Sequence, residues 1–346
     1  MLIDFSKDIN IQSLFPQTEF EEKVISFLEN WYSDAKTVSV QTSGSTGIPK
    51  VFEIEKEKML SSAKMTCDFL NLKKGDSALV CLPVEYISGK MMVVRSVERK
   101  LKLFISSPSI KPLADLDREI DFCALSPLQV ENSLDKIHLI KNLIIGGAQV
   151  SEILKTKITQ KFTNSNTDLQ IFETYGMSET LSHIGLKQIY PNPEEYFSVF
   201  DGVSINLDER GCLNISAPKL NAETLQTNDL VELKNSRQFK FLGRIDNVIN
   251  SGGLKIHPEQ LENILKKQLP NEVAFLGVKD ETLGQQLILV IEGEETEKLN
   301  LQLKNLLNEI ETSFSKNHLP KHIHFLKTFP RLGNGKLNRK ELLHLF

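Results

Sequence analysis

KNLIIGG, residues 141–147, is a short apolar run closed by two glycines. Three runs of the same kind precede it: SALVCLP (residues 77–83), KLFIS (102–106) and FCALSP (122–127). All are rich in Val, Ile, Leu and Phe, and segments of helical spacing such as KEKMLSSAKMTCDFLNL (56–72) separate them. Short apolar strands alternating with helices are the pattern of a parallel sheet buried on both faces. The expected fold class is α/β, with a mainly parallel sheet flanked by helices.

Outward from this centre the texture changes twice. Toward the N-terminus, FEEKVISFLENWYSDA (20–35) has the spacing of an amphipathic helix, and TVSVQT (37–42) reads as a strand entering a glycine loop. From about Tyr190 to Phe241, brief strands and polar turns such as DERG and KNSR indicate an antiparallel β region. Beyond it, PEQLENILKKQL, VAFLGVKD, QLILVIEG, LNLQLKNLLNEIETSF and HIHFLKTF read as helix, two strands, helix and strand, a small α+β unit. The glycine-bracketed stretch GRIDNVINSGG (243–253) marks the boundary, so we expect an N-terminal domain over residues 1–243 and a mobile C-terminal domain over 244–346.

The 346 residues exceed one ordinary core and suit about two domains. Apolar residues at 40% and charged residues at 25% are globular proportions. A formal net charge of -4 gives no basic footprint for nucleic acid. No run approaches the roughly 18–20 apolar residues of a bilayer span, and the N-terminus lacks the basic and apolar regions of a signal peptide. A cytoplasmic protein is expected, with oligomeric state open. Cys67, Cys81, Cys123 and Cys212 stand far apart without zinc spacing and read as buried free thiols. His322 and His324 would share a strand face, but no third ligand accompanies them.

Four further elements carry possible chemistry. QTSGSTGIPK (41–50) sets Gly44 and Gly47 among Thr42, Ser43, Ser45 and Thr46 and ends on Lys50. Such a loop can close its N–H groups and hydroxyls round an anion, although its spacing is not that of a Walker loop, and alone it reads first as a polar turn. FETYGMSET (172–180) follows an apolar run at the C-terminal edge of the sheet, where ligands of open α/β sheets gather. Its Glu179 is a possible magnesium carboxylate or a helix-start carboxylate. In LQTNDL, Asp229 could accept from ribose hydroxyls, with Arg244 fifteen residues on; a salt-bridged pair is the alternative. PRLGNGKLNRKEL (330–342) presents Lys336 on a glycine-rich tip, either an exposed turn lysine or one that swings toward developing negative charge.

Taken together and in this order, the elements resemble the adenylate-forming superfamily of acyl-CoA synthetases, peptide-synthetase adenylation domains and luciferases, over about residues 41–340. The resemblance implies ATP, magnesium and coenzyme A. It implies that Thr42, Ser43, Gly44, Ser45, Thr46, Gly47 and Lys50 embrace the β- and γ-phosphates, with Lys336, Glu179 and Thr46 in the catalytic set. Gly146, Gly147, Ala148, Glu173, Thr174, Tyr175 and Gly176 would line the adenine and acid pockets, with Tyr175 stacking near the adenine. Asp229 and Arg244 would hold the ribose and Glu179 the magnesium. Asp246 would be the hinge, and Gly252 and Gly253 would border the thiol channel.

Within that superfamily, CLPVEYISGKMMVVRS (81–96) and YGMSET resemble the o-succinylbenzoate–CoA ligases of menaquinone synthesis. The implied substrate is a small carboxylic acid in a pocket containing Tyr86, Ser88, Arg95, Gly147, Gly176 and Ser178. Arg95 is the candidate for a second carboxylate, since a guanidinium matches one bidentately; a surface ion pair is the alternative. The chain departs from the pattern at Tyr86, which replaces a histidine, at Asn228, which replaces the glycine of Thr-Gly-Asp, and in the shorter region before Thr42. Another aryl or short-acyl-CoA synthetase, a carrier-protein ligase and a catalytically inactive nucleotide-binding protein are the alternatives.

Overall fold

A computed structural model describes residues 1–41, 51–163, 165, 167–332 and 337–346. Strands Ser77–Val80, Lys102–Ile105, Ile120–Leu125, Ile140–Ile145 and Gln170–Gly176 pair in parallel, confirming the α/β class. Their side chains alternate between two buried faces. Ala78, Val80, Phe122, Ala124 and Ile144 enter one core with helices Glu19–Tyr32, Lys56–Phe69 and Ile87–Arg99. Leu79, Cys81, Cys123, Leu125, Leu143 and Ile145 enter the other, against helix Glu152–Phe162. All four cysteines are buried free thiols, as their spacing implies.

Local chemistry starts the helices that follow two of these strands. Ser126 caps helix Pro127–Asn132 in a capping box with Gln129, with Pro127 in the first turn, so FCALSPLQ turns directly from strand to helix. Ser151 caps helix Glu152–Phe162 by accepting from the Leu154 N–H.

The antiparallel region is not a separate layer. Strand His183–Tyr190 pairs back on Gln170–Gly176, and Phe197–Val199, Gln238–Arg244, Asn221–Asn235, Cys212–Ala217 and Ser204–Leu207 extend the same sheet to twelve strands. Sequence reading began this region at about Tyr190 because HIGLKQIY has little alternation; both faces of the strand are largely buried. Two short strands were also missed. Leu2–Asp4 adds antiparallel to Lys102–Ile105, and Val51–Glu55 pairs with Thr37–Gln41 in a hairpin flanking residues 42–50.

Chain beyond Arg244 forms a five-stranded sheet with its own cores, one of them packed by helices Pro258–Lys266 and Glu297–Ser313. Strand His322–Leu326 joins it in parallel beside Gly284–Glu292. The GRIDNVINSGG stretch contributes strand Ile249–Ser251, which returns as Leu254–Ile256 through a two-residue turn with both glycines at positive φ, 57° and 83°. Positive φ at both central positions is the geometry of a type I′ hairpin turn, which Gly adopts without steric cost.

Gly89, in the first turn of helix Ile87–Arg99, sits so close to the Leu82 and Pro83 carbonyls that a Cβ would overlap them. Those carbonyls are backbone and cannot rotate away. Gly89→Ala is expected to lower unfolding free energy by about 1–3 kcal/mol, as other overpacked sites do. Urea unfolding checks this, and an unchanged midpoint would contradict the packing.

Candidate active site

The chain passes from strand Ser77–Val80 to Lys102–Ile105 on one side and then to Ile120–Leu125 on the other. Such a reversal opens a crevice at the carboxyl ends of the strands. A cleft of about 1640 Å3 lies there, lined by Leu82, Ser126, Gly146, Gly147 and Gly176 at those strand ends. An ordinary small-molecule pocket occupies roughly 300–1,000 Å3, so there is room for more than one ligand. Asn263, from helix Pro258–Lys266, reaches the cleft from the smaller sheet's side.

Most of the described residues singled out from sequence converge here. Ala148, Glu173, Thr174, Tyr175, Tyr86, Ser88, Arg95, Ser178 and Asp229 also line the cleft. Thr42, Ser43, Gly44, Ser45, Thr46, Gly47 and Lys50 lie outside the described residues, as does Lys336. The flanks of the first segment, Gln41 and Val51, are paired in the hairpin, and Gln41 lines the cleft and bridges to Tyr86. The flanks of the second, Arg331 and Leu337, bridge each other away from it.

Asp229 and Arg244 lie directly opposite on adjacent strands. Arg244 Nη1 is 3.3 Å from Asp229 Oδ1, and its Nη2 donates to Asp246 Oδ2 at 2.8 Å. The Tyr175 hydroxyl donates to Asp229 Oδ2 at 2.5 Å, while its ring packs edge-on to Phe239. Burial first, then the Asp229 charge, pushes the phenol far above its ordinary value, so it remains a donor. Asp246, in the short helical turn Ile245–Asn247, is also gripped by Asn228, whose Nδ2 lies 3.2 Å from both carboxylate oxygens. The residue that replaces the expected glycine therefore ties down the proposed hinge.

Glu173 is engaged in a way that sequence reading missed. Its Oε1 accepts from the Val150 N–H at 3.1 Å, and its Oε2 lies 3.3 Å from Lys155 and 3.2 Å from Lys187. Burial alone would push this carboxyl up; the Lys187 and Lys155 charges and the Val150 N–H outweigh it and hold the carboxyl below its ordinary value. Burial conversely pulls Lys187 down, partly offset by Glu173. Lys187 faces Glu173 across the strand pair, whereas Lys155 comes from a helix, a convergence with no local sequence signal.

Arg95 is 2% exposed, which excludes the surface-ion-pair alternative. Burial pulls its guanidinium down to about 10, still charged at neutral pH, and among the described residues no carboxylate pairs with it. Its Nε has no hydrogen-bond partner among the described residues.

Glu179 and the Gly252–Gly253 turn are not among the cleft-lining residues. Glu179 is exposed in the turn Ser178–Thr180. Among the described residues no group of three His, Cys, Asp or Glu side chains is arranged for a metal. A single carboxylate still fits magnesium, which commonly takes one or two carboxylates together with substrate phosphates.

A family profile described as AMP-binding enzyme matches residues 38–202. The acyl-CoA synthetase (AMP-forming)/AMP-acid ligase II-like protein from Dyadobacter fermentans is 35% identical, with 97% of each chain covered and a TM-score of 0.65. The 2-succinylbenzoate–CoA ligase of Lactococcus lactis is 26% identical across 99% of this chain and 82% of its own length. The O-succinylbenzoate coenzyme A synthetase (MenE) of Bacillus subtilis, solved with ATP and magnesium ion, has a TM-score of 0.72 at 21% identity, over 89% of this chain and 70% of that one.

Glu173→Gln leaves Lys155 and Lys187 without their shared carboxylate and is expected to cost about 3–5 kcal/mol of unfolding free energy at neutral pH. A carboxyl whose folded pKa is depressed stabilises above its unfolded value and loses that contribution as pH falls through the folded one. The gap between wild type and variant should therefore shrink on acidification below the ordinary value of 4.5. Urea unfolding across that range measures it; a gap independent of pH would assign the cost to packing.

Proposed function

The chain belongs to the AMP-binding enzyme family, the adenylate-forming acid–CoA ligases, and from that premise we propose that it activates o-succinylbenzoate with ATP and transfers the acyl group to coenzyme A. The observation that carries the choice of acid is Arg95: a buried, charged guanidinium facing the cleft with no carboxylate of its own among the described residues. An unpaired buried charge is expensive, and a substrate carboxylate would complete it. Two of the relatives bear on the same choice, being named for 2-succinylbenzoate and O-succinylbenzoate.

A carboxylate is a poor electrophile. Its attack on the α-phosphorus of ATP releases pyrophosphate and leaves an acyl-adenylate, from which a thiol displaces AMP. In this reading Asp229 and Arg244 hold the ribose, with Tyr175 fixing Asp229. Gly146, Gly147, Ala148, Glu173, Thr174 and Gly176 bound the adenine and acid pockets, with Tyr86, Ser88 and Ser178 on the acid. Residues 42–50 hold the departing phosphates, and Lys336 meets the negative charge that builds during in-line attack. Glu179 would hold magnesium, which would supply further charge neutralisation when bound.

Residues 244–346 then turn as a unit about Asp246, withdrawing Lys336 and bringing Gly252 and Gly253 to the thiol path. Breaking the Asn228 contacts to Asp246 would accompany that rotation.

Acid-dependent exchange of labelled pyrophosphate into ATP tests the reading: o-succinylbenzoate should support it, and exchange with no carboxylic acid would favour a nucleotide-binding protein without catalysis. Arg95→Ala should raise KM for o-succinylbenzoate about 30-fold or more, the scale of about 2 kcal/mol for breaking a buried charge pair, while KM for ATP stays put. Lys336→Ala should abolish adenylation yet spare thioester formation from supplied acyl-adenylate; equal loss of both half-reactions would refute the rotation.

A further inference from the structure

Behind Arg95 runs a chain of uncharged groups, half-buried at Ser182 and buried at His183 and Thr66, that the proposed reaction does not use. Arg95 Nη2 donates to Ser182 Oγ at 3.1 Å, and Ser182 Oγ lies 3.4 Å from His183 Nδ1. His183 Nε2 lies 3.0 Å from Thr66 Oγ1, whose hydroxyl donates to the Ser62 carbonyl at 3.2 Å. The hydroxyl of Thr66 has one hydrogen, given to Ser62, so His183 Nε2 carries a proton and donates to Thr66. Nδ1 is then an acceptor for the Ser182 hydroxyl, leaving a Ser182 lone pair for Arg95. Every hydrogen in the series points from Arg95 toward the carbonyl of helix Lys56–Phe69.

The ring of His183 is buried and packs edge-on to Phe200, 5.4 Å between centroids. Burial and the adjacent Arg95 charge hold it well below its ordinary pKa, so it is neutral. This neutrality matters: a carboxylate at Ser182 or His183 would orient Arg95 equally well but would cancel its charge. Among the described residues, dipoles alone hold the guanidinium in place and leave its charge to be met from the cleft. Arg95, Ser182 and His183 all line that cleft.

We propose that Ser182 and His183 are positioning residues for acid selectivity: they aim Arg95 at the second carboxylate of a dicarboxylic substrate without neutralising it. The inference rests on the o-succinylbenzoate reading above and names the residues that enforce it.

Pyrophosphate exchange with o-succinylbenzoate and with 3-benzoylpropanoate, which lacks the ring carboxylate, separates the possibilities. His183→Leu and Ser182→Ala should each raise KM for o-succinylbenzoate roughly tenfold, the scale of one hydrogen bond to a charged group. KM for ATP and for 3-benzoylpropanoate should not change. His183→Gln offers Thr66 a donor and Ser182 an acceptor, and should restore the preference. Ser182→Asp should cancel the Arg95 charge, removing the preference for the dicarboxylate while the monocarboxylate is still used. If His183→Leu and Ser182→Ala impair both acids equally, the residues act only in folding and the proposal falls. If Arg95→Ala destroys the preference but neither of them does, this inference falls and the reading of Arg95 stands. A wild-type enzyme with no preference for the dicarboxylate overturns both.

Discussion

Parallel pairing of the five central strands is the constraint on which the rest of the molecule depends. Because both faces of that sheet are covered, no ligand can reach it except at a strand end, and the reversal of strand order beside Ser77–Val80 opens one such end. Leu82, Ser126, Gly146, Gly147 and Gly176 line the cleft because each follows or ends a strand there. The antiparallel extension then carries Asp229 round to the same opening, with Arg244 opposite it on the next strand, since His183–Tyr190 turns back on Gln170–Gly176.

Two buried charged groups on this opening are treated in opposite ways. Glu173 is compensated twice, by Lys155 and Lys187, and its cost of burial is met inside the protein. Arg95 is surrounded by a sulfur, a hydroxyl and a neutral imidazole and is compensated by nothing among the described residues. The first arrangement stiffens a wall. The second leaves a buried charge with no carboxylate beside it among the described residues, and the proposed choice of acid rests on that difference.

The junction between the two sheets has the same economy. Asp246 receives Arg244 from one side and Asn228 from the other, and Asn228 in turn accepts from Arg210 at 3.0 Å. These are half-exposed contacts of the kind that cost little to break.

Much of this was legible in the order of residues. Apolar runs such as KNLIIGG and FCALSP specify buried parallel strands through their composition, and FCALSPLQ and the two glycines of NSGG specify their own cap and turn, because these depend on neighbours in the chain. Asp229 with Arg244 could be paired from sequence since motif order survives any detail of packing. What sequence could not reveal were the partners of buried charges: Lys155 and Lys187 meeting on Glu173, and Thr66, Ser182 and His183 standing behind Arg95, up to 117 positions apart. Nor did it show the twelve-stranded continuity, because HIGLKQIY carries no alternation. Local spacing determined which elements form and in what order; whether Arg95 lay in a surface ion pair or in a buried, uncompensated site was decided only by long-range packing, which sets how much water reaches a charge and whether a carboxylate stands beside it.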